Sequence, residues 1–307
     1  MPMKQGYVAV IVAAVMLPVL VSGCFTGVES TPKITMRDVK RQKVTVTPEQ
    51  EFAATFRQEP FSSWTPGKKF YVTNRKISYV MSPVEMAERV SEGDTLRYIG
   101  TRSVPSLTEA PDTDMLFLTA SGDTLGYRLN TTEPELRERT SVDVPFTIEM
   151  SVVDSARGLL NGHDYYVLSP VWYDRSGNNL PGRKFVKVTV ADVVAGNDNY
   201  PLCVRFVDDT ATEYGVFMSI GSGRRATRNF DTLFAFDDPR RNYPSISDAT
   251  WELITRCDVA PEMTRDECRL ALGSPREVTR AHYMERWGYD NGVYLIFDEG
   301  YLVRYRK

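Results

Sequence analysis

Residues 67–80 read GKKFYVTNRKISYV, and a similar cadence returns at 162–175 as GHDYYVLSPVWYDR. Each starts on glycine, enters an aromatic-valine strand and ends in further aromatic and apolar residues. Across a longer connection, each is followed by a strand, an acidic turn and a second strand. These are LFLTASGDTLGYRL at 116–129 and CVRFVDDTATEYGVFM at 203–218. Two tandem β units, at about 64–130 and 145–236, account for the echo. The competing reading is the general likeness of any two β-rich stretches, because short strands share a small residue vocabulary.

Working outward, the middle of the chain reads as strands at 69–73, 76–81, 95–99, 115–119 and 124–129. After a charged link at 131–141 come 144–153, 164–173, 184–194, 202–207, 213–220 and 232–236. They are rich in β-branched and aromatic residues and are separated by turn formers such as Gly122-Asp123 and Asp208-Asp209. The expected fold is mostly β. Tandem small barrels or sandwiches occupy 51–141 and 142–244, followed by an α+β module at 245–307.

In that last module SISDATWELITR (245–256) has a capping Ser247 and an apolar side of Trp251, Leu253 and Ile254. MTRDECRLALGSP (263–275) specifies a second helix. Thr264 and Glu267 form a capping box, Met263 can staple onto Cys268, Gly273 suits the stop and Pro275 blocks continuation. Strands at 279–289, 293–297 and 301–305 complete two helices on a three-stranded antiparallel sheet. A three-residue turn, Asp298-Glu299-Gly300, would pair Phe297 with Tyr301, Leu295 with Val303 and Val293 with Tyr305 on the helix-covered face. Tyr294, Ile296, Leu302 and Arg304 then lie on the other face. That face is the candidate contact surface, for a partner or for the chain's own β region.

The N-terminus points to export. Lys4 is the only charge in the first 24 residues, and 7–21 is apolar apart from the break at Pro18. The run is too short to span a bilayer comfortably and has signal anatomy. Leu20-Val21-Ser22-Gly23-Cys24 resembles a bacterial lipobox. The expectation is a signal at 1–23, an acylated Cys24 and a tether at 24–50 leading into a first strand or short helix. Acyl chains would hold the protein to outer-membrane lipid, each buried methylene contributing about 0.8 kcal/mol. Phe25, where Asp would favour inner-membrane retention, points to the outer membrane.

Composition excludes some classes. Loss of Lys4 takes the net charge from −3 to −4, and no basic stripe is visible, which argues against nucleic-acid binding. Three cysteines remain beyond Cys24. An exported chain can oxidise, and Cys257 with Cys268 is then the expected pair, Cys203 in PLCVRF being a buried thiol. The alternative is that Cys257 and Cys268 are independent core residues.

Met263-Thr264, Leu272-Gly273-Ser274-Pro275, Trp287-Gly288-Tyr289 and the run from Phe297 to Leu302 occur in an order that resembles the SmpA/OmlA (BamE-like) family of small outer-membrane lipoproteins. The resemblance covers about 247–307 and none of the β-rich middle. Glu262 stands where the family often has Gly. It implies a non-enzymatic α+β module at the inner leaflet of the outer membrane, supporting assembly of envelope components through protein contacts. The family's assembly-complex subunit is much shorter than this chain.

Signals for catalysis are sparse. His163 lies in NGHDYY and His282 precedes Tyr283, and a pairing of either with Cys203 has no local signature. No zinc-ligand spacing or phosphate loop occurs, and GSGRR (221–225) reads as a hairpin tip. Asp208-Asp209 and Asp237-Asp238 lack calcium-loop spacing. Asp-Thr-Leu at 94–96, 123–125 and 231–233, with Asp-Thr-Ala at 209–211, resembles a short O-glycosylation sequon or marks turn ends. No catalytic residue, metal or cofactor is expected. The expected function is that of a lipid-anchored, periplasm-facing binding or scaffolding protein in outer-membrane assembly or maintenance. The alternative is a peptidoglycan- or glycan-binding module, with Trp64, Tyr71, Trp172 and Tyr173 lining an aromatic groove.

Overall fold

The computed structural model describes residues 46–106, 110–221, 227–290 and 292–306. The signal, Cys24 and the tether as far as residue 45 lie outside the described residues, as do residues 222–225 of the GSGRR tip and the alanine after them.

The first sheet is built from β1 (Lys69–Val72), β2 (Met81–Ser82), β3 (Thr95–Val104), β4 (Asp112–Leu118), β5 (Thr124–Leu129) and β6 (Thr147–Glu149). The second is built from β7 (Asp164–Val167), β8 (Val171–Tyr173), β9 (Asn179–Pro181), β10 (Val186–Ala195), β11 (Leu202–Val207), β12 (Glu213–Met218) and β13 (Phe234–Ala235). Hydrogen bonding orders the first as β6-β1-β3-β4-β5-β2 and the second as β13-β7-β10-β11-β12-β8-β9. With β9 set aside, the two orders are the same, strand for strand, and the pairings are antiparallel throughout. The echo at 67 and 162 is thus the first strand of each copy, and β1 and β7 share one alternation, with their second and fourth residues buried.

The likeness extends to irregularities. β3 is bulged between Tyr98 and Gly100, and β10 between Val190 and Asp192. Gly100 has φ 142°, which glycine adopts without strain. A bulge bends its strand, so one sheet can curl round a core instead of two sheets facing one another. A short helix precedes the last strand in both: α3 (Glu133–Arg137) before β6 and α5 (Phe230–Leu233) before β13. Each drops an apolar side chain, Leu136 or Leu233, into its unit's core.

Several expected strands are otherwise. Residues 144–153 hold only β6, after which α4 (Met150–Leu160) begins. Its Val152, Val153, Ala156 and Leu160 are buried in the second core. β-Branched valines suggest strand locally, but tertiary burial overrides that weak preference. Most of 76–81 is a 3-10 turn, Arg75–Tyr79. α2 (Val84–Ala87) follows it. The first sheet also runs past residue 141, since β6 completes it. The second core takes Ala53 of α1 (Pro48–Ala53) and Phe56. Pro48 is at the start of α1, and Thr47 caps it in a box with Gln50.

The third core lies between α6 (Asp248–Thr255) and α7 (Arg265–Leu272) and the strands β15 (Met284–Gly288), β16 (Tyr294–Asp298) and β17 (Tyr301–Arg306), with β14 (Glu277–Ala281) as an exposed edge strand. Ser247 caps α6, and Thr264 with Glu267 forms the capping box of α7, worth about 1 kcal/mol. The sheet has four strands, not three. Residues 279–289 turn back at His282 (φ 55°) and Tyr283, a two-residue turn without glycine.

The closing hairpin is also in another register. Its turn is two residues, Glu299 and Gly300, both with positive φ, as a tight hairpin turn requires. Asp298 therefore faces Tyr301 and Phe297 faces Leu302, and a bulge then places Ile296 opposite Arg304. Leu302 is 1% exposed in the third core, whereas Tyr301 and Val303, expected inside, are exposed. The predicted Cys257–Cys268 bridge is not formed. Cys268 is a free thiol buried in this core, and Cys257 lies just past the end of α6 with φ 59°.

Candidate functional site

The two β units meet along β6 and the start of α4, where a cavity of about 340 Å³ opens. From the first unit come Phe70, Thr73 and the run 142–149; from the second, Asn197, Asp198, Pro201 and Ile220. Three carboxylates line it: Asp143, Glu149 and Asp198. Asp198 fastens the units together, accepting from Thr73 Oγ1 and, at 3.1 Å, from Asn74 Nδ2. Asp143 accepts from Gln58 Nε2 at 2.9 Å.

Glu149 is the residue where strand becomes helix. Its Oε1 accepts from Lys68 Nζ at 2.6 Å, from Ser151 Oγ at 2.6 Å and from the Glu59 amide at 3.4 Å. Lys68 Nζ also reaches Glu59 at 2.6 Å and Ser151 Oγ at 2.9 Å. A serine beside a lysine suggests a nucleophile with its base. Here two carboxylates hold the ammonium, so the arrangement is an ion-pair cluster that buries Lys68. Glu149 Oε2 is buried with no hydrogen-bond partner.

A second groove, of about 290 Å³, takes Tyr71 and Glu92 from the first unit and Arg175, Cys203, Arg205, Glu213, Tyr214 and Phe217 from the second. Arg175 grips Glu213 with two bonds, at 2.9 and 2.6 Å. Burial pushes the Cys203 thiol up, opposed by Arg205. Among the described residues no histidine lines this groove. His163 sits near Asn161 O, and His282 is at the tip of the β14–β15 hairpin. The Cys–His pairing is therefore not assembled. Of the expected aromatic groove, Trp64 and Trp172 are core residues, and only Tyr71 and Tyr173 are part-exposed, Tyr173 against Phe217 at 4.7 Å.

The acidic turns serve the fold. Asp208 and Asp209 both hold Arg183, and Asp237 pairs with Arg241. Asp94 and Asp123 close their own turns. Among the described residues no group of His, Cys, Asp and Glu is placed to hold a metal, and no helix is long and apolar enough to cross a membrane.

The C-terminal module offers a third feature. Its helix layer lies between two neighbours. Trp251 meets Phe185 of the second unit at 5.8 Å, and the Lys184 amide donates to Thr255 O at 2.9 Å. The opposite face of the sheet carries the cross-strand row Thr279, Arg286, Ile296, Arg304, with Met284 and Tyr294 alongside. Tyr294 and Ile296 are half-buried, Arg304 is exposed, and the Arg286 guanidinium lies 5.2 Å from the Tyr294 ring.

No family model, curated protein or solved structure matches this chain. The likeness at 247–307 to the BamE-like family rests on its motifs alone. Glu149, Asp143, Asp198 and Lys68 carry no motif at all. Lys68 and Glu149 meet through the pairing of β1 with β6 inside the first unit, and Asp198 reaches the same cavity only through the docking of the second unit.

Proposed function

We propose that this chain is a lipid-anchored envelope protein, facing the periplasm from the outer membrane, that binds and positions other envelope components and performs no chemistry of its own. Acylated Cys24 supplies the anchor. The C-terminal module acts as a BamE-like docking unit. The observation that carries this reading is the open sheet face. The helix layer already packs on the chain's second β unit, which leaves the row through Arg286, Ile296 and Arg304 uncovered. Arginines flanking apolar and aromatic side chains suit an acidic protein surface with an apolar centre.

The test places a photo-crosslinking residue at position 296 in cells, with position 84 on the first unit as control. The reading expects one discrete adduct from 296, reduced by Arg304→Glu, with the protein in the outer-membrane fraction and a Cys24→Ala variant outside it. No adduct from 296, or a Cys24→Ala variant still cleaved and membrane-bound after salt washing, overturns it.

A second reading, a peptidoglycan- or glycan-binding protein, is favoured by the groove in which Tyr71, Tyr214 and Phe217 lie beside Arg175, Arg205 and Glu213. Aromatic faces edged by charged donors and acceptors suit sugar rings. Sedimentation of the protein with purified peptidoglycan decides for this reading, and its absence from the pellet decides against it.

A further inference from the structure

The cavity between the β units has an unbalanced interior. We infer that it binds an organic cation: a primary ammonium or guanidinium on a short apolar stem. This inference is independent of where the protein resides and of what its C-terminal sheet contacts.

Three observations carry it. First, Asp143, Glu149 and Asp198 line the cavity and no Lys, Arg or His does. Among the described residues, neither Asp143 nor Asp198 has an ion-pair partner. Lys68 stands behind Glu149 and is shared with Glu59. Second, Glu149 is 4% exposed, its Oε1 is fully engaged, and Oε2 is buried with no donor. A buried acceptor without a donor is costly, and a ligand N–H would remove that cost with a charge-assisted bond. Third, Val142, Val144, Pro145, Val152, Pro201 and Ile220 form apolar walls. These suit a methylene stem and offer nothing to a hydrated metal ion, in keeping with the lack of a metal-spaced cluster among the described residues. At about 340 Å³ the space is at the small end of ligand pockets, the size of a single diamine or diamino acid.

The probe is cadaverine, titrated calorimetrically into the full-length protein, with agmatine as the guanidinium analogue and pentanol and glutarate as neutral and anionic controls. Cadaverine and agmatine should bind with Kd of about 1 mM or tighter, more weakly in high salt, and should raise Tm by mass action. Pentanol and glutarate should not bind. Glu149→Gln keeps the size and one acceptor and should weaken cadaverine about tenfold. Should that variant unfold, Asp198→Asn tests the same wall and should also weaken binding, while Asp237→Asn, outside this cavity, should not. No heat up to about 10 mM cadaverine, equal binding of pentanol, or unchanged affinity in both cavity variants overturns the inference. The first of these would mean that Glu149 Oε2 is served by water alone.

Discussion

Lys68 Nζ stands 2.6 Å from Glu149 Oε1, and both side chains are almost wholly buried, 6% and 2% exposed. The two residues are 81 positions apart. They tie the approach to β1 to the point where β6 becomes α4. Breaking a buried pair on one side strands the other charge, which costs about 3–5 kcal/mol. Lys68→Met should therefore lower the unfolding free energy by about 3 kcal/mol. Replacing both, with Glu149→Met added, should recover much of that loss, because an apolar pair strands no charge. Urea unfolding of the three variants measures this. Equal losses in single and double variants would show that the pair is not coupled.

Asp114 in β4 is the second buried carboxylate with a definite role. Arg102 on β3 reaches it at 2.9 Å and Arg128 on β5 donates to its other oxygen. Burial pulls its pKa upward, but hydrogen bonds and charge from the two guanidiniums outweigh burial and hold it below the ordinary 3.8. A carboxyl with a depressed folded pKa stabilises the fold above its unfolded pKa and loses that contribution as pH falls through the folded value. Asp114→Asn should thus lower Tm at pH 7 by a few degrees, about 2–4 °C per kcal/mol lost. The gap to the native protein should narrow below about pH 4. A gap that is constant from pH 7 to acid would assign the loss to packing alone.

The two tandem β units are legible as an echo, because antiparallel sheets with one buried face alternate cleanly, but their shared strand order emerges only from the pairing of the strands in space. The hairpins at 116–129 and 203–218 were visible as paired apolar runs about an acidic turn. The bounds of the sixth strands were not. β6 has three residues and β13 two, too few for a periodicity to register. The strands expected at 144–153 and 232–236 contain them but overrun into α4 and α5, because Val152, Val153 and Leu233 are apolar in either state. The cavity between the units was invisible for a different reason. Glu149 looks like an ordinary exposed glutamate in TIEMS until Lys68 and Asp198 are brought to it.

The hairpin register predicts a sharp contrast in β17. Leu302 faces Phe297 in the core, while Val303 sits in the bulge, half exposed. Leu302→Ala removes buried methyl groups and leaves a cavity, at a cost of about 2–4 kcal/mol. Val303→Ala removes side chain from solvent and should cost less than about 0.5 kcal/mol. Thermal unfolding of the two variants decides between this register and a three-residue turn, for which the order of the two costs reverses.

Cys268 gives the last test. It is fully buried on the core side of α7, and burial, with the nearby Glu267 charge, pushes its thiol up to about 12. The thiolate is the species that alkylates, so at pH 8 the folded protein offers almost none of it at this position, and burial denies access as well. Iodoacetamide on the native protein should leave Cys268 unmodified, and the same reagent in denaturant should label it promptly. Under non-reducing conditions the peptide holding Cys268 should run free of the peptide holding Cys257. Peptide mass spectrometry reads both results. A crosslinked pair of peptides would mean that the thiol leaves the core, and that α6 and α7 pack differently from the arrangement described.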